Sequence, residues 1–207
     1  RRVSLMNEAI EVLQHCFTGE KFSYSGKRYQ FEDVIITPGY VQDGGPPLWV
    51  AAMSEAGALR AAHYNTHFLP QGLKANSFDP WVNELEGSGR QTRDYRVGII
   101  RSILVTDDRN TDWPLIRAAE KYRMQLYQRF FEESGEGFGD SGEPVPQTWI
   151  VGNEDECVEQ LVDFITKFGV TDIVTMAVPP GLRADQMSDS LEMLFTRVVP
   201  RVKALIA

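Results

Sequence analysis

The segment Pro46 to Ala62, PPLWVAAMSEAGALRAA, constrains the fold more than any other part of this chain. An apolar run, Leu48 to Ala52, stops at small residues, and Ser54 then opens an Ala-rich helical pattern interrupted only by Gly57. A strand that turns so quickly into a helix commits the chain to a βα unit, and such units assemble as parallel strands with helices outside. The same corner aims free backbone N–H groups and the positive end of a helix dipole at one spot, which suits a phosphate. The corner is therefore a candidate anion-binding spot, and the small residues before and after Ser54 allow close approach to the backbone. The same residues also read as an ordinary βα corner in which Ser54 serves only as a helix N-cap.

The rest of the chain continues the alternation. Met6, Ala9, Ile10, Leu13, Cys16 and Phe17 recur at helical spacing, which predicts an amphipathic helix over 2–17 ended by Thr18-Gly19-Glu20. Phe22 and Tyr24, then Tyr29 and Phe31, alternate with polar residues across Ser25-Gly26-Lys27, a hairpin signal. Residues 37–47, rich in Pro and Gly, form a loop leading to the Leu48–Ala52 strand. The helix from Glu55 runs to about Tyr64, and a short strand follows at Thr66–Leu69. Helix and loop occupy 71–94 around Phe78 to Leu85. Tyr95 to Thr106 is the longest strand candidate and carries Arg101 inside it; a helix spans 112–131. Asn153 caps a helix with an apolar face of Val158, Leu161, Phe164, Ile165 and Phe168, and Gly169 ends it. Thr171 to Val178 reads as a buried strand, and a last helix covers 187–206 with a kink expected at Pro200. About four core strands result, in an α/β fold without an obvious internal repeat.

At 207 residues the chain is long enough for one domain with a substantial core. Its net charge of −8 argues against nucleic acid and against an anionic membrane surface, and no apolar run approaches a membrane span. Cys16 and Cys157 both sit in helical patterns, so a disulfide framework is not expected and a reducing, cytoplasmic setting is. The first residue is Arg1, and a helical pattern is already running by Val3; the expectation is a chain cut within a larger protein.

Other motifs carry less. Gly139-Asp140-Ser141-Gly142 has the wording of a serine protease nucleophile segment, but Glu143 breaks the pattern and no His stands in a matching context. His63 and His67 are four apart, yet Tyr64 stands where a zincin needs Glu, and Asn65-Thr66 end the helix between them. A helix-terminal His and a strand His are expected instead, and no metal site. His15 beside Cys16 lacks further ligand spacing. Arg101 either faces a ligand, snorkels or pairs with an acid. There is no P-loop and no GxGxxG.

Several segments, in order, resemble the luciferase-like flavin-dependent monooxygenase family. They are EAIEVLQHCFTGE (Glu8 to Glu20), FSYSGKRYQFEDV (Phe22 to Val34), Pro46 to Ala62, Phe68-Leu69-Pro70, Ile150 to Glu156 (IVGNEDE), and the helix Leu191 to Pro200. The resemblance implies a (β/α)8 barrel of the TIM type, of which this chain is about the C-terminal half, with its site at the C-terminal ends of the strands. It implies reduced FMN as cofactor, or in a sister branch the deazaflavin coenzyme F-420, with the phosphate at Ala52, Met53, Ser54 and Gly57. In that reading Ser54 donates its hydroxyl and N–H, and Gly57 its N–H. Where relatives often have two Gly, this chain has Ala51-Ala52.

The implied chemistry is oxygenation of an aldehyde, ketone or similar small organic substrate by reduced flavin and O2, with a flavin reductase as a partner. With the deazaflavin it becomes hydride transfer. Residues 134–146 stand where relatives carry a lid, and their composition equally fits a surface loop. The family's acid–base residues fall outside this chain, so no catalytic residue is assigned. A half-barrel could also be a non-catalytic flavin-binding protein, and its open edges and uncovered apolar faces predict a homo-oligomer.

Overall fold

The structure, a computed structural model, describes residues 2–70, 75–133, 135 and 149–207, with backbone alone for 75–77. The chain forms two compact units, 1–97 and 98–207.

In the first unit, helix α1 (Arg2–Phe17) leads into the antiparallel hairpin β1 (Phe22–Ser25) and β2 (Gln30–Val34). Strand β3 (Trp49–Ala52), helix α2 (Glu55–His63) and strand β4 (His67–Pro70) make a βαβ sequence with β3 and β4 parallel and Trp49 opposite His67. Helix α3 (Ala75–Gly87) follows. Side chains alternate along each strand. Val50 and Phe68 face Ala58, Ala61 and Ala62 of α2 and Trp81 and Leu85 of α3, all buried in one cluster with Tyr95 and Val97. The three Ala residues let helix and strands close in tightly. Asn65, with φ 59°, ends α2, and its Oδ1 accepts the Tyr95 hydroxyl. Arg90 Nη1 donates to the Ala62 carbonyl at 2.5 Å, adding a second donor to an oxygen that also accepts the Asn65 N–H at 3.2 Å.

Acids on α1 tie the hairpin down. Glu8 Oε2 accepts the backbone N–H groups of Arg28 (2.7 Å) and Tyr29 (3.2 Å). Glu11 accepts the hydroxyls of Tyr24 (2.6 Å) and Tyr64 (2.8 Å), joining α1 to β1 and to the end of α2. The Tyr24 bond, then the Tyr64 bond, hold the Glu11 carboxyl below its ordinary range. The Glu11 bond pushes Tyr24 up to about 12, and burial followed by the Glu11 bond does the same for Tyr64. A carboxyl whose folded pKa is depressed stabilises above its ordinary value, and that contribution is lost as pH falls through the lowered pKa. A phenol whose folded pKa is raised stabilises below pH 10, and the contribution is lost as pH climbs toward 12. Glu11→Gln keeps the shape but offers only one acceptor oxygen. Its urea midpoint should lie below the wild type's by the widest margin between about pH 5 and 10, narrowing at both ends. A gap independent of pH would refute the account.

In the second unit the expected Tyr95–Thr106 strand is divided. Strand β5 (Gly98–Ile100) pairs in parallel with β8 (Asp172–Val174), whereas β6 (Ser102–Val105) pairs with β7 (Trp149–Gly152). The switch falls at Arg101, whose N–H still reaches Val174 O at 2.9 Å. β8 gives out there, and β7 takes over as the partner. The expected strand Thr171–Val178 thus shortens to three residues, none of them fully buried. β7 itself was not expected as a strand; every residue of β6 and β7 is buried, as in parallel sheets covered on both faces.

Helix α4 (Arg109–Glu133) carries Pro114 in its second turn, where the missing N–H removes the helical hydrogen bond to the Asn110 carbonyl. Helix α5 (Glu154–Phe168) starts at a capping box, Asn153 Oδ1 accepting the Glu156 N–H and Glu156 Oε2 the Asn153 N–H, both at 3.0 Å. It ends at Gly169 with φ 60°. The last helical stretch comprises α6 (Ser188–Met193), a π turn (Leu194–Val198) and α7 (Val199–Ile206). Pro200 has no N–H and crowds the carbonyl four residues back. The expected kink is realised as this wider turn, closed by the Val199 N–H on Leu194 O.

Candidate functional site

The strand–turn–helix corner stands as the sequence implied, at the C-terminal end of β3. Ser54 is extended (φ −117°, ψ 154°), and its carbonyl accepts the N–H groups of Gly57 and Ala58 at 3.0 Å. Its Oγ accepts the Gly57 N–H at 3.3 Å, an N-cap bond. Ala52, Met53, Ser54 and Gly57 lie together around this turn. Met53 is 65 % exposed and Gly57 is buried. A Cβ on Gly57 would sit 2.3 Å from Ala52 Cβ, so only Gly lets the helix start this close to the strand end. The Gly57 N–H is directed at Ser54. The first-turn N–H groups of Glu55 and Ala56 are the ones that α2 leaves to other acceptors. Glu55 places a carboxylate in the same turn, favourable to the dipole and opposed to a second anion.

The remaining candidates separate. His63 ends α2, whereas His67 opens β4, where its Nδ1 accepts the Arg96 N–H at 3.1 Å. Among the described residues no group of three or more His, Cys, Asp or Glu could hold a metal ion. Cys157 is fully buried, with its Sγ–H toward Gly152 O at 3.3 Å, and burial pushes its thiol up to about 11, which leaves it unreactive. Arg101 faces α5: its guanidinium lies 4.5 Å from the Phe164 ring centre, and burial lowers its pKa. The Gly139–Gly142 motif and the lid segment 134–146, Gly135 apart, lie outside the described residues. No described helix is long and apolar enough to cross a membrane.

A cavity of about 250 Å³ opens beyond β6, between Thr106, Asp108, Asp112 and Ile116 on one side and Met187 and Ser190 on the other. It was not foreseen, because segments some 80 positions apart build it and no local spacing betrays it. Two of its acids have structural tasks. Asp108 accepts the Thr111 N–H (3.2 Å) and hydroxyl (2.8 Å) as the cap of α4, and Asp112 accepts the Thr106 hydroxyl.

The sequence pattern that defines the luciferase-like monooxygenases matches residues 1–172. No curated protein sequence matches the chain. Among solved structures, the monooxygenase RslO1 from Streptomyces bottropensis superposes with a TM-score of 0.69 at 16 % identity, over 94 % of this chain and 60 % of its own. The oxygenating constituent of 3,6-diketocamphane monooxygenase from Pseudomonas putida, solved in complex with FMN, gives 0.66 at 15 % identity, over 94 % and 62 %. The coenzyme F-420 dependent tetrahydromethanopterin reductase from Methanopyrus kandleri gives 0.68 at 16 % identity, over 96 % and 63 %. This chain thus spans about three-fifths of the length of these proteins. The fold is α/β, part of a (β/α)8 barrel. With most of its length matched by the family pattern and its strands and helices matched by these structures, the chain belongs to the luciferase-like monooxygenase family.

Proposed function

We propose that the protein is a flavin-dependent monooxygenase that uses reduced FMN and O2 on a small organic substrate. The observation that carries the reading is the Ser54 corner. It lies at the C-terminal end of a parallel strand, where barrel enzymes place their sites, and a helix N-terminus with a hydroxyl beside it is suited to a phosphate. The fit is good in two respects. Gly57 brings the helix start against the strand end, and Ser54 has a hydroxyl proton to give. Ser54 Oγ and the N–H groups of Glu55 and Ala56 would hold the phosphate, with Ala52 and Met53 forming the approach. Gly57 would act through spacing. The bound flavin would supply electrons to oxygen or to the substrate. The protein's part is to bind, orient and shield it. A flavin reductase supplying the reduced cofactor is part of the same proposal. The FMN complex of the Pseudomonas putida relative supports this reading, and the Methanopyrus kandleri relative supports a second one, hydride transfer with the deazaflavin.

Two substitutions separate capping from binding. Ser54→Ala removes both, and should cost about 1 kcal/mol of stability and weaken FMN binding about tenfold. Ser54→Asp keeps a good N-cap but sets a negative charge against the phosphate. Its melting temperature should stay near wild type while FMN binding is lost, with riboflavin, which has no phosphate, unaffected. Calorimetric titration with reduced and oxidised FMN, riboflavin and the deazaflavin reads all of this. FMN affinity within about twofold of wild type in Ser54→Ala would remove Ser54 from the site. Preference for the deazaflavin would move the assignment to hydride transfer, and binding of neither would leave a plain βα corner.

A further inference from the structure

Helices α4 and α5 cover opposite faces of the β6–β7 pair. Ile103, Val105 and Ile150 share a cluster with Cys157, Val158 and Leu161 of α5, whereas Leu104, Trp149 and Val151 share one with Ile116 of α4. Each helix turns its outer side to solvent. On α5, Asp155, Glu159, Asp163 and Lys167 recur every four residues, all exposed. The three acids edge an open groove whose apolar surface is Val158 and Val162 of α5 and Leu205 of α7, the last 65 % exposed. Asp155 Oδ1 accepts Arg201 Nη2 at 2.7 Å, an exposed pair that ties the two helices together. On α4, Lys121, Gln125, Arg129 and Glu133 recur at the same interval, also all exposed, with Tyr122 beside them at 53 % exposure. From N- to C-terminus the α5 row is negative at three positions and positive at the fourth. The α4 row is positive, neutral, positive and negative, so no position repels its counterpart. Residues four apart form the ridges of a helix surface, and the commonest helix packing sets such ridges side by side. A generic basic helix would match the three acids; the reversal at the fourth position is matched by Glu133 of this same chain.

We propose that α4 of one copy docks in the α5–α7 groove of a second copy of this chain. The two helices run in the same direction, with Lys121 against Asp155, Gln125 against Glu159, Arg129 against Asp163 and Glu133 against Lys167. Tyr122 covers the apolar surface of the groove. The docking helix and the groove lie on opposite faces of one sheet, so the two rows meet only between chains, and the contact is head-to-tail.

Sedimentation velocity tests this. The mean mass of the wild type should rise with concentration between about 5 and 200 µM. Lys121→Glu with Arg129→Glu, and separately Glu159→Lys with Asp163→Lys, set like charge against like, and each double variant should stay monomeric over that range. Mixed in equal amounts they should associate again, because one keeps the native groove and the other the native α4 row. Gln125→Lys sets a cation opposite Glu159 and should tighten association about threefold. Glu133→Lys should weaken it by a similar factor, and adding Lys167→Glu should restore it, which fixes the direction of the helices. Thermal melting checks that each variant is folded. A wild type monomeric at the top of the range would overturn the proposal and leave the groove to a basic helix of another protein. Association that survives in either double variant, a mixture no more associated than its parts, or an unchanged affinity in Gln125→Lys would overturn it as well.

Discussion

Trp81→Ala should destabilise the 1–97 unit by about 3–5 kcal/mol, the largest effect of any single truncation there. Trp81 has no solvent exposure, and its ring centre lies 5.5 Å from that of Phe68, 5.9 Å from Phe78 and 6.0 Å from Tyr95. It joins α3 to β4 and to the stretch before β5, and its removal leaves a void lined by rings that cannot collapse together without moving backbone. Among the described residues the buried indole Nε1 has no hydrogen-bond partner, so the loss is one of packing. Trp81→Phe keeps a ring and removes the unsatisfied donor, and should cost less than about 2 kcal/mol. Native-state hydrogen exchange reads the difference. Protection in Trp81→Ala should fall most at Val50 and Phe68. A loss below about 1 kcal/mol would show that the cluster does not depend on this ring.

Gly57→Val should come next, at about 3 kcal/mol. Its Cβ would lie 2.3 Å from Ala52 Cβ and 3.6 Å from Ala52 Cα, all atoms fixed by backbone, so the first turn of α2 must lift off the end of β3. The contact has a specific remedy. Ala52→Gly removes the opposing carbon, and Gly57→Ala combined with Ala52→Gly should recover most of what Gly57→Ala alone loses. The coupling should be about 1–2 kcal/mol in a double-mutant cycle read by urea midpoints. Additive effects would place the clash elsewhere. The same lift would displace the Ser54 cap, so flavin binding should weaken in Gly57→Ala and return in the double variant.

Local signals were readable from the sequence where neighbours along the chain decide the outcome. Asn153 and Glu156 form the box their spacing announces, Gly169 adopts the left-handed conformation, and the hairpin turns at Gly26. Ser54 caps α2 by the rule that singled it out. Tertiary choices were not readable. Nothing in Tyr95–Thr106 says that a strand changes partner at Arg101, because the partners lie some 50 and 70 residues away. The four residues of β7 are too few for periodicity to speak. The orientation of Arg101 toward Phe164 likewise depends on a helix that its own surroundings do not mention. At the corner, sequence marked small residues as permissive. Only coordinates show that Gly57 and Ala52 are a matched pair, in which one methyl group fits and two do not.

The turn before Pro200 also sets the phase of the final helix. Leu194, Val198 and Val202 are all buried in one cluster, at intervals of four. In an unbroken α-helix four residues over-rotate by about 40°, so two intervals would swing Val202 some 80° away from Leu194. The π turn holds an extra residue and under-rotates over its own interval, returning Val202 to the line of the other two. An evolutionary insertion of one residue would leave such a mark. Deleting one position between 194 and 198 would set Val202 seven residues from Leu194, about 20° short of two full turns, so a regular α-helix would keep both residues on the core and the π turn is what accommodates the extra residue.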